Sequence, residues 1–111
     1  MKSALTFTLL ILLFTSGAFA ENHYALIVHG GAGITKGDWT SEEENQIRQT
    51  MKEAVAAGKN VLAKGGTSLD AVETVIRIQE DSPYFNAGKG AVFSNAGVNE
   101  LDAAIMDGET L

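Results

Sequence analysis

An α/β (α+β) chain is predicted, in the order strand, helix, helix, irregular loop, strand, strand. Three observations predict it. A β-branched and aliphatic run, "HYALIV" (residues 23–28), halts in the glycine cluster "HGGAG". Two stretches with apolar residues at helical spacing lie on either side of Gly65-Gly66. After Pro83, the one proline in the chain, short apolar runs flank an Asn/Gly turn.

The first strand, His23 to Val28, has little polar relief, as expected of a strand buried on both faces. Gly30, Gly31 and Gly33 then permit positive φ and close approach of other groups, so the strand is expected to end in a tight turn of exposed backbone. From Ser41 the period changes. Ser41 and Glu44 are spaced for a capping box, and Glu42, Glu43 and Glu44 fill a first turn where the helix dipole favours negative charge. Ile47, Met51, Val55 and Leu62 follow at near-helical spacing, with Arg48, Lys52, Lys59 and Lys64 mostly on other faces. The acidic run therefore reads as a solvated helix start rather than a metal site.

Gly65-Gly66 ends that helix. A second begins at Thr67 or Ser68, with Asp70 in its first turn, and is expected to turn Leu69, Val72, Val75 and Ile76 inward. Pro83 stops it, because the residue before a proline is pushed out of helical geometry. A short glycine-rich turn between two such helices predicts an antiparallel pair. Beyond it, "AVF" (91–93), the turn "SNAGVN" and "ELDAAIM" (100–106) predict a hairpin.

Residues 1–20 read as a cleavable secretory signal. Lys2 opens a charged region, an apolar run extends from Leu5 to Phe14, and Ala18-Phe19-Ala20 forms an A-x-A site. The run is shorter than the ~20 residues a membrane span needs. Cleavage after Ala20 is expected, with residues 21–111 exported to a periplasm or secreted as part of one small domain. No cysteine is present, so stability is expected from packing alone. The net charge of −6 becomes more negative once Lys2 is removed. That balance excludes nucleic acid and anionic membrane surfaces as partners, since both require a cationic patch.

The glycine motifs exclude several chemistries. Gly31 and Gly33 begin a dinucleotide fingerprint, but Lys36 stands where the third glycine belongs. Gly88-Lys89 is followed by Gly90 rather than by the Ser or Thr of a phosphate loop. "HGGAG" is similar to an esterase oxyanion loop, yet no G-x-S-x-G elbow accompanies it. His23 and His29 have no metal-ligand spacing and read as structural. Asp102 and Asp107 are structural by default.

Three segments carry more. "HYALIVHGGAGI", "SPYFNAGKGAVF" and "NELDAAIMDGETL" closely resemble the N-terminal part of isoaspartyl peptidases, or plant-type L-asparaginases, from about Ala25 to Leu111. Related threonine aspartases have an alanine where Gly30 stands. The resemblance implies an N-terminal-nucleophile hydrolase with a four-layer αββα sandwich, here incomplete. It also implies a precursor that cuts itself into α and β subunits. The new N-terminal Thr of the β subunit would attack L-asparagine or β-aspartyl dipeptides.

In that family a sodium ion is wrapped by main-chain carbonyls. The matching positions are Gln79, Glu80, Ser82, Phe85, Ala87 and Lys89. Asn86 resembles the asparagine that helps hold the nucleophile's surroundings, with bracing of its own loop as the plainer role. Gly30 and Gly31 resemble glycines packed close to the catalytic threonine. Implied partners are the small-molecule substrate, the chain's own β subunit and a second αβ unit. The Gly-Thr-Val-Gly-type segment bearing the nucleophile does not occur in these 111 residues. Hence the chain is expected to be an inactive N-terminal fragment of an α subunit. The other reading is a non-catalytic truncated or vestigial product that needs a partner chain.

Overall fold

The computed structural model describes residues 23–32 and 37–109. The leader, with the expected cleavage site, lies outside the described residues, as does Gly33. Two helices organise the rest: α1, Ser41–Ala63, and α2, Ser68–Glu80. A 3-10 turn, Gly88–Gly90, follows.

Each helix is bounded by side chains that satisfy its orphan amides. The cap of α1 is Thr40 rather than Ser41, and its partner is Glu43 rather than Glu44. The Glu43 N–H donates to Thr40 Oγ1 at 3.2 Å, while the Thr40 N–H and hydroxyl donate to Glu43 Oε2 at 2.9 and 2.7 Å. "TSEEE" offers the same Thr/Ser-x-x-Glu spacing in two registers. In the earlier one Glu44 accepts from Arg48 one turn on. In α2, Thr67 and Asp70 form the same box.

The C-terminus of α1 closes with a Schellman motif. Gly66 N–H donates to the Val61 carbonyl and Gly65 N–H to that of Leu62, with Gly65 at φ 81°. That left-handed residue is where a glycine costs least. α2 ends at Glu80, three residues before Pro83.

The helices pack antiparallel, as predicted. A Cβ on Gly58 would meet Val75 and the Ala71 carbonyl, while Met51, two turns earlier on α1, touches Gln79, later on α2. Val75 is buried as predicted, but the rest of the buried stripe differs from the predicted one. Ala54 and Gly58 of α1 face Ala71, Val75 and Gln79 of α2, whereas Val55, Val72 and Ile76 remain about two-fifths exposed, at 39, 41 and 43%. Small residues win the interface because they allow the two backbones to approach.

Neither predicted sheet element forms a ladder: among the described residues no strand is paired. Residues 23–28 keep the alternation of a strand. Leu26 and Val28 are half-buried and Ile27 is 93% exposed. One face therefore lies on the helix pair, with Leu26 over Gly58, and the expectation of burial on both faces is corrected. In the predicted hairpin only the turn forms. Ser94 N–H donates to the Val98 carbonyl and Gly97 N–H to that of Ser94. Asn99 Nδ2 reaches back to the Ala91 carbonyl at 2.7 Å and the Val92 carbonyl at 3.1 Å, acceptors that a neighbouring strand would otherwise use. Leu101, Ile105 and Met106 stay exposed. Strand pairing needs a second backbone, and none of the described residues supplies one.

Candidate functional site

Two glycine-bearing segments far apart in sequence meet beside the helix pair. The first is the turn after Val28. His29 Nδ1 accepts the Gly31 N–H at 3.0 Å, which gives this histidine the structural part expected of it. Gly31 adopts φ 106°, a region that excludes side-chain-bearing residues. Gly30 lies beside α1 and the loop after α2: a Cβ there would sit at ordinary van der Waals distance, 3.4 Å from the Phe85 ring and 3.5 Å from Met51 Sδ. Phe85 is itself buried. The turn, α1 and the loop after α2 thus converge on Gly30.

The second segment is the loop 81–90. Lys89 pairs with Asp81 at 3.1 Å across its mouth. Both side chains are exposed, and such pairs contribute little to stability. The backbone decides the loop's shape. A Cβ on Gly88 would collide with the Glu80 carbonyl oxygen, and one on Gly90 with the carbonyl oxygens of Phe85 and Pro83. Gly88 also has φ 56°. The carbonyls of Glu80 and Phe85 accept no backbone hydrogen bond among the described residues. Those of Gln79 and Ala87 accept from Ser82 N–H and Gly90 N–H and keep a second lone pair. Glycines pressed against free carbonyls fit a cage of oxygen donors for a hard cation, and no side-chain metal cluster occurs among the described residues.

Asn86 belongs to this second segment. Its Oδ1 accepts the Val92 N–H at 2.9 Å, so it braces the loop against residues 91–93, while Nδ2 has no partner among the described residues. An open cavity of about 880 Å³ lies alongside, lined by Gly30, Gly31, Trp39, Arg48, Tyr84 and Asn86 among others. Trp39 and Tyr84 meet edge to face, with centroids 6.1 Å apart, and join the start of α1 to the loop. Asp102 and Asp107, in the exposed 100–107 segment, are not brought to this cavity.

Sequence reasoning missed one side chain here. The family resemblance implies only a backbone role for Gln79, yet its amide Nε2 donates to the His29 carbonyl at 3.0 Å and contacts Met51 Sδ at 3.3 Å. The signal was present, since Gln79 continues the four-residue stripe of Ala71 and Val75 as its one polar member.

The model of a family described as asparaginase matches residues 22–111. The chain belongs to the asparaginase family. That family is one of N-terminal-nucleophile hydrolases. Among curated relatives, the chain is 49% identical over 87 residues to a putative isoaspartyl peptidase/L-asparaginase of Dictyostelium discoideum, covering 78% of this chain and 25% of that protein. It is 42% identical over 91 residues to an isoaspartyl peptidase of Salmonella typhimurium, covering 81% and 29%. A plant-type L-asparaginase of Pyrococcus horikoshii is 49% identical over 87 residues, covering 78% and 27%. The chain thus spans between a quarter and a third of the length of these asparaginase relatives.

Proposed function

We propose that the full-length protein hydrolyses L-asparagine to aspartate and ammonia, and cleaves β-aspartyl dipeptides, with a threonine nucleophile exposed by self-cleavage downstream of Leu111. Family membership supports the hydrolase class. The approach of two motif segments carries the reading: a Cβ built on Gly30 would lie 3.4 Å from the Phe85 ring, so residues 29–32 and the "FNAG" loop lie side by side.

A threonine at a chain terminus suits this chemistry, because its free α-amine can take the proton from its own hydroxyl as that oxygen attacks the side-chain carbonyl of the substrate. Hydrogen-bond donors around the tetrahedral oxyanion then lower the barrier. The described residues contribute surroundings rather than the nucleophile. Gly30 and Gly31 leave room beside it, and Asn86, anchored through Oδ1, keeps Nδ2 free to donate. A sodium ion bound by the carbonyls of Gln79, Glu80, Ser82, Phe85, Ala87 and Lys89 would supply fixed positive charge that holds the loop's dipoles together. The fold proposed for the intact protein is the αββα sandwich, built by α and β subunits and paired into a dimer of αβ units. The apolar flanks at Ile27, Val92 and Phe93 are the surfaces such layers would cover. Export through the leader completes the reading.

The test is ammonia release from L-asparagine, and aspartate release from a β-aspartyl dipeptide, by purified full-length protein beside the 111-residue chain. Turnover by the first and none by the second is expected. Absence of turnover in the full-length protein on both substrates, or turnover by the short chain alone, contradicts the proposal.

A further inference from the structure

We propose that Gln79 is a positioning residue of this site, its side-chain amide tethering the His29 carbonyl and so fixing the Gly30–Gly31 turn against the helix pair. The inference rests on the hydrolase reading for its catalytic consequence, and on geometry for the tether itself.

Gln79 is 6% exposed and belongs to the buried stripe of α2 with Ala71 and Val75. An apolar residue would fill that position without penalty. A primary amide placed there costs free energy unless it is hydrogen-bonded, and this one is bonded through Nε2 to the His29 carbonyl at 3.0 Å, fifty residues away in sequence. Met51 Sδ lies 3.3 Å from the same nitrogen, so the amide is held between α1 and the turn.

The acceptor is the carbonyl immediately before Gly30, which puts the bond one peptide from the residue that lies beside Phe85. Residues 23–28 have no ladder partner among the described residues, and Gly31 at φ 106° is held only locally, through its N–H to His29 Nδ1. Contact with Phe85 and Met51 limits how close the turn comes, but packing is not directional. A hydrogen bond is directional, and this one sets the rotation of the His29–Gly30 peptide. Gln79 also begins the carbonyl loop through its own main chain, so the two glycine segments share one anchor.

The experiment compares full-length wild type with Gln79→Leu, which keeps the volume and removes the donor. Hydrogen exchange of a peptide covering residues 24–32 is read together with the thermal midpoint, kcat and KM. With the tether lost, exchange at 24–32 rises about tenfold, as for one hydrogen bond, while α1, α2 and the midpoint hold. On a β-aspartyl dipeptide, kcat falls about tenfold and KM changes less than about twofold. Unchanged exchange at 24–32 overturns the tether. Faster exchange with unchanged kcat overturns the positioning role, and faster exchange throughout both helices with a lowered midpoint makes Gln79 merely structural. Because exchange is read without turnover, an inactive wild type would sink the hydrolase reading and still leave the tether decided.

Discussion

The extended flanks, 23–28 and 91–107, are richer in apolar residues than the helix pair, residues 41–80, yet only the helix pair closes on itself. A helix satisfies its amides within one turn, and both ends here are sealed by Thr40, Thr67 and the Gly65-Gly66 motif. An extended segment must find its partners elsewhere. The flanks have none among the described residues, and they leave Ile27 and Phe93 exposed at 93 and 72%. The difference teaches that this chain carries a finished local scaffold together with surfaces that need more polypeptide. The candidate site lies at the boundary between the two.

The contrast breaks most severely at the glycines that join the regions. Gly90→Ala drives a Cβ into the carbonyls of Phe85 and Pro83, and Gly88→Ala adds left-handed strain to a clash with Glu80. Either should cost roughly 2 kcal/mol or more, read as a lowered thermal midpoint of the full-length protein and loss of any stabilisation by sodium chloride over a salt of a larger cation. If neither moves, the carbonyl cage is refuted.

Gly58→Val comes next, because a Cβ there already falls 2.6 Å from Val75 and 2.9 Å from Leu26. Splaying the helices should cost on the order of 2 kcal/mol, despite the poor helix propensity of the glycine it replaces. Exchange in residues 24–28 should rise along with that in α2. A rise confined to the helices would separate the strand-like flank from the scaffold on which Leu26 rests.

Loss of a cap sharpens the comparison with the smallest effect. Thr67→Ala should cost about 1 kcal/mol and loosen the first turn of α2 while leaving the flanks unchanged. The same boxes predict a pH dependence. Hydrogen bonds from the Thr40 hydroxyl and then its backbone N–H lower the pKa of Glu43, and those from Thr67 do the same for Asp70. A depressed carboxylate stabilises the fold above its unfolded pKa and loses that contribution as pH falls through the folded value. Fraying of both helix starts is therefore expected below the ordinary carboxylate range, and Thr67→Ala should flatten the part belonging to α2. An identical acid profile in the variant would contradict this.

What the sequence made legible follows from the same division. Helix extents, the antiparallel turn and the stop before Pro83 depend on neighbours within a few residues, and they were readable. The cap of α1 was read one residue late, because "TSEEE" satisfies the same rule twice and only the Glu44–Arg48 pairing favours the earlier register. At the interface Val75 is buried as hydrophobicity predicts, but hydrophobicity also points to Val72 and Ile76, whereas close helix approach selects Ala54, Gly58 and Ala71. The ladders were over-read because pairing is non-local: alternation at Leu26, Ile27 and Val28 survives without a partner. At the site, the glycines of both segments were legible from their clustering, whereas Gln79 was hidden in a helical stripe and visible only as its lone polar member.

The most direct test of the central proposal, that these residues open the α subunit of a self-cleaving hydrolase, is the intact mass of the protein from its native source. Two species are expected, one beginning near Glu21 and extending well beyond Leu111, the other beginning with threonine. A single species that ends at Leu111, or a longer chain that stays uncut, would contradict the account.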